Sequence, residues 1–216
     1  MKRFFKNGAT VLFQGDSVTD CGRERNTDCT TIGRMGTGYP RLFKEFYDTL
    51  FPNNNINFVN RGVSGNKVCD ILSRYDEDIK EVNPDYISIM IGVNDTWRAY
   101  DSNEYCSTEE FEKNYNELLS KIKADFPQSK IMIIEQFAFT SHPDRLGWDE
   151  DLNPKREVTK KLANIYADYF LPMYDIMTDT DKTGFTMEEL SWDGVHPTQM
   201  GHALIMSEML KAVNIL

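Results

Sequence analysis

Short β-branched apolar runs alternating with longer amphipathic stretches predict a three-layer α/β/α fold on a five-stranded parallel sheet. Two observations carry this. Runs such as Ile87-Ser-Ile-Met-Ile91 are apolar without a strict in-out alternation, as in strands covered on both faces. Each pair of runs is also separated by a stretch of helical period, as a parallel crossover requires. The 216 residues hold no repeat, low-complexity tract or Pro/Gly-rich linker, so a single domain is expected.

The first strand is expected at 10–14 and is followed by Gly15-Asp16-Ser17-Val18-Thr19-Asp20. Gly33, Gly36 and Gly38 come next. Without the Lys-Ser/Thr of a phosphate loop, they read as a flexible loop. A helix at 39–50 leads to a strand at 56–60 and then Asn60-Arg61-Gly62-Val63-Ser64-Gly65-Asn66. A helix at 66–82 carries an apolar stripe of Val68, Ile71, Leu72, Tyr75, Ile79 and Val82. The strand at 86–91 runs into Gly92-Val93-Asn94-Asp95. At 108–125 the stripe is Phe111, Tyr115, Leu118, Leu119 and Ile122, with Ser107 and Glu110 spaced as a capping box. Both stripes read as packing against the sheet. A strand at 130–135, a helix at 154–169 and a less regular strand at 170–176 follow. Trp192-Asp193-Gly194-Val195-His196-Pro197 then precedes a helix at 198–213.

Composition narrows the function. Hydrophobic residues make up 40% and charged residues 27%, ordinary for a globular chain. The net charge of −10 would repel phosphate backbones, and no basic patch offsets it, so nucleic-acid binding is not expected. No apolar run approaches the roughly 20 residues that span a bilayer, and Lys6, Asn7 and Gly8 interrupt any signal-like stretch. Cys21, Cys29, Cys69 and Cys106 lack a CxxC spacing and read as reduced thiols of a cytoplasmic protein.

In open parallel sheets, sites form beyond the carboxyl ends of the strands, where the polar blocks fall. Ser17 is a candidate nucleophile, which needs a base to take its proton. His196 can serve, and Asp193, three residues earlier, can reach its Nδ1–H to fix the tautomer and stabilise imidazolium. Backbone N–H groups of Ser17 and Gly65 and the side-chain amide of Asn94 could receive a developing oxyanion, Gly65 because glycine permits a tight approach. Each block alone is weak: Gly-Asp-Ser could be a capped strand-to-helix turn, and Asn-Asp pairs are common turn formers. Their order and placement together point to acyl transfer.

Gly15-Asp16-Ser17, Gly65, Gly92-x-Asn94-Asp95 and Asp193-x-x-His196 resemble the four blocks of the SGNH, or GDSL, hydrolase family, over nearly the whole chain. Val18 stands where many members have leucine. The resemblance implies an SGNH/flavodoxin-like sheet, Ser17, Gly65, Asn94 and His196 as the eponymous residues, and Asp193 completing the triad. Gly15 to Arg23, Gly36-Thr-Gly-Tyr39, Ser88 to Asp95 with Trp97-Arg98, and Trp192-Asp193 are similar to bacterial intracellular acetylxylan esterases. That implies an acetylated sugar or xylo-oligosaccharide as substrate, no cofactor and a homo-oligomer. A short-chain lysophospholipase or thioesterase of the same family, or a non-catalytic sugar-binding relative, are the alternatives. The absent Gly-x-Ser-x-Gly elbow disfavours an ordinary α/β-hydrolase lipase.

Of the remaining residues, His202 reads as structural and His142-Pro143 as a turn. With no thiolate partners at suitable spacing, no metal site is expected. Trp192 could wall the pocket or pack inside, whereas Trp97 reads as packing. Asp20 and Asp95 read as turn holders, and Arg98 as a brace of the active-site loop.

Overall fold

The computed structural model describes residues 3–26 and 31–216. Five parallel strands, β1 (Thr10–Gly15), β2 (Asn57–Asn60), β3 (Tyr86–Met90), β4 (Lys130–Ile134) and β5 (Tyr169–Leu171), form one sheet in the order β2-β1-β3-β4-β5. Two apolar layers cover it. Val11, Phe13, Met90, Met132 and Ile134 meet the helices Tyr39–Leu50 and Gln199–Ala212. Leu12, Ile87, Ile89, Ile131 and Ile133 meet Thr108–Asp125 and Asp149–Tyr166. Alternate residues of each strand thus serve opposite cores, which is why the runs carry few polar residues. Both predicted stripes face this second core, Leu72 and Val82 only partly buried. Ser107 caps its helix by accepting from the Glu110 N–H at 3.2 Å. Among the described residues no helix is long and apolar enough to cross a membrane.

Four expectations about elements need correcting. The stretch 170–176 is not one strand: Pro172 ends β5 and caps the helix Met173–Thr178. Proline has no N–H for a ladder but suits a helix start. The helix expected from Pro154 begins at Asp149 and ends at Tyr166, enclosing the proline. Buried Trp148 anchors its start and Asp149, Glu150 and Asp151 favour its positive end. The helix expected over 66–82 is α-helical at Val68–Ser73 and widens to a π turn at Asp76–Lys80, where the Glu81 N–H donates to the Asp76 carbonyl at 2.9 Å. The glycine-bearing stretch is not all loop, because Thr31–Met35 is helical. The sequence reading also left out the helix Val93–Asp101. Cys21, Cys69 and Cys106 are free thiols, and Cys29 lies outside the described residues.

Candidate active site

The strand order reverses at β1, where the chain crosses from β2 to β3, the point beyond whose strand ends open α/β sheets place their sites. β1 stops at Gly15, and buried Asp16 accepts from the Val18 N–H at 3.0 Å, capping the short helix Ser17–Asp20. Burial pushes the Asp16 carboxyl up to about 6, against the opposing Val18 hydrogen bond and His196 charge. Asp16 is therefore the cap, and the Ser17 side chain is left free for other contacts.

Ser17 Oγ lies 2.9 Å from His196 Nε2, and His196 Nδ1 lies 2.7 Å from Asp193 Oδ2. A carboxylate accepts only, so Nδ1 carries the proton and Nε2 accepts from the serine. The other Asp193 oxygen accepts from the Val195 and His196 N–H groups at 2.9 and 2.7 Å. Burial alone would raise the Asp193 pKa, but hydrogen bonds from the His196 ring and these N–H groups hold the carboxyl well below its usual range. Ser17 and His196, 179 apart in sequence, thus meet, and the 193–196 turn is tied to the loop after β4. There the Phe139 N–H donates to the Gly194 carbonyl at 2.7 Å. Gly194 has φ +82°, and an added Cβ would stand 3.0 Å from His142 Cβ, so a side chain is excluded twice over.

The three candidate oxyanion donors are Asn94 Nδ2 and the Ser17 and Gly65 N–H groups. Asn94, in the first turn of Val93–Asp101, donates from Nδ2 to the Asn66 carbonyl at 3.0 Å and accepts on Oδ1 from Arg98 Nη2 at 3.2 Å. Arginine only donates, so the Asn94 amide orientation is settled and its second Nδ2 hydrogen stays available. Arg98 does brace this loop. Ser17 N–H is the first of its helix and has no intrahelical partner. Gly65 has φ +82°, and an added Cβ would find nothing nearer than Arg98 Nη2 at 4.0 Å. Its φ by itself favours glycine, and no protein atom crowds the position.

Two aspartates do more than hold turns. Asp20 accepts from the Ser64 N–H at 3.0 Å and Asp95 from the Val68 N–H at 3.2 Å, so both tie neighbouring strand-end loops to the Gly65 segment. Trp97 packs with Trp148 but also faces the His196 ring, with centroids 5.6 Å apart. Trp192 is 71% exposed, so it does not pack in the core. His142 caps its turn by accepting from the Asp144 N–H at 3.3 Å. His202 is buried, its Nδ1 accepting from the Tyr39 N–H at 3.2 Å and its Nε2 facing Cys21 Sγ at 3.3 Å. Among the described residues no group of three histidine, cysteine or carboxylate side chains is arranged to hold a metal. Sequence reasoning missed Arg145, whose Nη2 lies 3.6 Å from Asp193 Oδ2. It sits 48 positions before Asp193, and no motif spacing marks it.

Known proteins can be set beside this geometry. The family model described as GDSL-like Lipase/Acylhydrolase matches residues 13–204. An acetylxylan esterase of Geobacillus stearothermophilus is 31% identical over 211 residues, 96% of this chain and 94% of that protein. Among solved structures, a variant of an acetyl xylan esterase from the same organism aligns with TM-score 0.83 and 30% identity, covering 99% of this chain and 98% of that one. An alpha/beta hydrolase from the metagenome of Lake Arreo, Spain, aligns with TM-score 0.83 at 26% identity, again covering 99% and 98%.

Proposed function

The chain belongs to the GDSL-like lipase/acylhydrolase family and is a carboxylic ester hydrolase, and from that premise we propose that it removes acetyl groups from xylo-oligosaccharides through Ser17, His196 and Asp193. The observation that carries the catalytic reading is the relay itself, serine to imidazole at 2.9 Å and imidazole to carboxylate at 2.7 Å. Ser17 Oγ attacks the acetyl carbonyl carbon while its proton passes to His196 Nε2. Asp193 holds the ring and stabilises the imidazolium. The Ser17 and Gly65 N–H groups and Asn94 Nδ2 are the donors assigned to the oxyanion, since acyl transfer needs donors set before charge develops. His196 returns the proton to the departing sugar oxygen as the carbon–oxygen bond breaks, leaving acetyl-Ser17. Water, deprotonated by His196, then releases acetate and restores the serine. The residues named need no cofactor.

The substrate reading rests on the acetylxylan esterase relatives and on the surroundings of the relay. The His196 and Asp193 side chains are about one-third exposed, 34% and 32%, so the base lies in a shallow opening that a sugar ring can approach. Trp192, beside Asp193, offers an exposed face on which a pyranose can stack. A long acyl chain would instead need a buried apolar trench, since each buried CH₂ contributes about 0.8 kcal/mol. The same reading makes the enzyme a cytoplasmic homo-oligomer.

Hydrolysis of p-nitrophenyl acetate, butyrate and octanoate, with acetylated xylo-oligosaccharides alongside, tests both parts. Ser17→Ala should abolish turnover with the melting temperature nearly unchanged; wild-type turnover in that variant rejects the nucleophile. The value of kcat/KM should fall with each added acyl carbon. A preference for octanoate rejects the acetyl-sugar substrate in favour of a lipid ester, and absence of any hydrolysis would favour a binding protein.

A further inference from the structure

Arg145 closes the short turn Pro143–Arg145 after β4 and is only 9% exposed at its side chain. Its guanidinium lies 4.2 Å from the Trp97 ring centroid and 4.8 Å from that of Trp148. Nη1 donates to the Asp144 carbonyl at 3.0 Å, while Nε is buried without a hydrogen-bond partner. Placing a guanidinium between two indoles with a donor unsatisfied carries a cost. What lies at its far end is the catalytic carboxylate, with Nη2 3.6 Å from the Asp193 oxygen that also accepts from His196. The same arginine stacks on Trp97, whose ring faces the base. One side chain from the β4 loop therefore touches the acid directly and borders the base through an indole.

We propose that Arg145 is a positioning residue of this site: held by Trp97 and Trp148, its guanidinium steadies Asp193 against His196 and offsets part of the carboxylate's charge. The inference rests on the Ser17–His196–Asp193 reading and adds to it. At 3.6 Å the contact is an ion pair beyond hydrogen-bond distance, so it acts through charge and packing. The Asp193 charge attracts a proton on the base, and a cation beside Asp193 offsets part of that charge, which sets the sign of the test. Other titratable groups face the base. Asp16 approaches from the end of β1, its carboxyl pushed up to about 6 by burial. His202 on the terminal helix is pushed down to about 4, first by burial and then by the His196 charge. His142 stands beside Gly194. Arg145 differs from these in supplying a cation within ion-pair distance of Asp193.

The test is kcat and kcat/KM against pH for full-length wild type, Arg145→Met, Arg145→Lys and Ser17→Ala on p-nitrophenyl acetate. Arg145→Met keeps an apolar stem between the indoles and removes the charge. Its acid limb should move to higher pH by roughly half to one unit, and kcat should fall several-fold with little change in KM. Arg145→Lys should return the limb toward wild type without restoring kcat fully, because ammonium lacks the planar stack. A purely structural role would lower kcat in both variants and leave the limb unmoved. That result, or a shift to lower pH, overturns the proposal. Should Arg145→Met fail to fold, Arg145→Gln supplies a neutral planar group for the same readouts, with tryptophan near-UV dichroism reporting the stack. Turnover surviving in Ser17→Ala would reject the triad instead, whereas an inactive Ser17→Ala together with an unmoved acid limb in Arg145→Met rejects the role of Arg145 alone.

Discussion

At the residue scale, the division of labour around Ser17 follows from which atoms are already occupied. Asp16 supplies the helix cap, so the serine hydroxyl is free to face His196. Asn94, the proposed side-chain donor to the oxyanion, is held at both ends of its amide, by the Asn66 carbonyl and by Arg98. Removing one such donor typically costs about 2.7–4 kcal/mol of transition-state stabilisation. Asn94→Ala should lower kcat roughly a hundredfold or more with a smaller change in KM, measured by steady-state kinetics on acetyl esters. A change confined to KM would assign Asn94 to ground-state binding. The relay also sets a pH dependence. Protonating His196 removes the acceptor for the serine proton, so activity should decline on the acid side. A profile flat down to about pH 4, well below an ordinary histidine, would exclude His196 as the base.

At the element scale, the strand-end loops are held to one another by buried carboxylates. Asp95, in the first turn of Val93–Asp101, accepts from the first N–H of the helix Val68–Ser73, and burial pushes its carboxyl up to about 7. A carboxyl whose pKa is raised on folding contributes stability that is fully present below its unfolded value near 3.8. That contribution is lost as pH rises through the folded value, because ionisation is easier in the unfolded chain. Asp95→Asn keeps an acceptor for the Val68 N–H and cannot ionise. Its melting temperature relative to wild type should therefore rise between about pH 4 and pH 7 and level off above. A difference independent of pH would show that Asp95 stays ionised when folded. Two of the misread boundaries, both at prolines, belong to this scale too. Pro172 ends a strand as its chemistry demands, whereas Pro154 is carried inside a helix because packing at Trp148 and the acidic first turn outweigh one lost hydrogen bond.

At the scale of the whole molecule, the order β2-β1-β3-β4-β5 brings the loops after β1, β2 and β3 to one end of adjacent strands, where Asp20 and Asp95 bond the loop after β2 and His196 reaches Ser17. The resemblance to intracellular acetylxylan esterases also led to the expectation of a homo-oligomer. Exposed Trp192, Tyr100, Tyr105 and Leu146 provide apolar surface that a subunit contact or a saccharide can cover. Light scattering at working concentration should give a multiple of the 25.0 kDa chain mass. A mass equal to the single chain rejects the assembly.

The sequence by itself determined the layer architecture, the parallel sheet and the four polar blocks. Strand burial on both faces and helical period are local patterns, and Ser17, Gly65, Asn94, Asp193 and His196 stand in short motifs next to them. Gly65 was legible as a position, and its positive φ is a reason for glycine that only the folded backbone displays. Tertiary structure alone decided where the π turn falls, that Trp192 is exposed, and that Arg145, Trp97 and Trp148 gather behind Asp193. These outcomes depend on contacts between segments far apart in the chain. Such contacts leave no periodicity or spacing to read, because their energy comes from which surfaces the fold brings together.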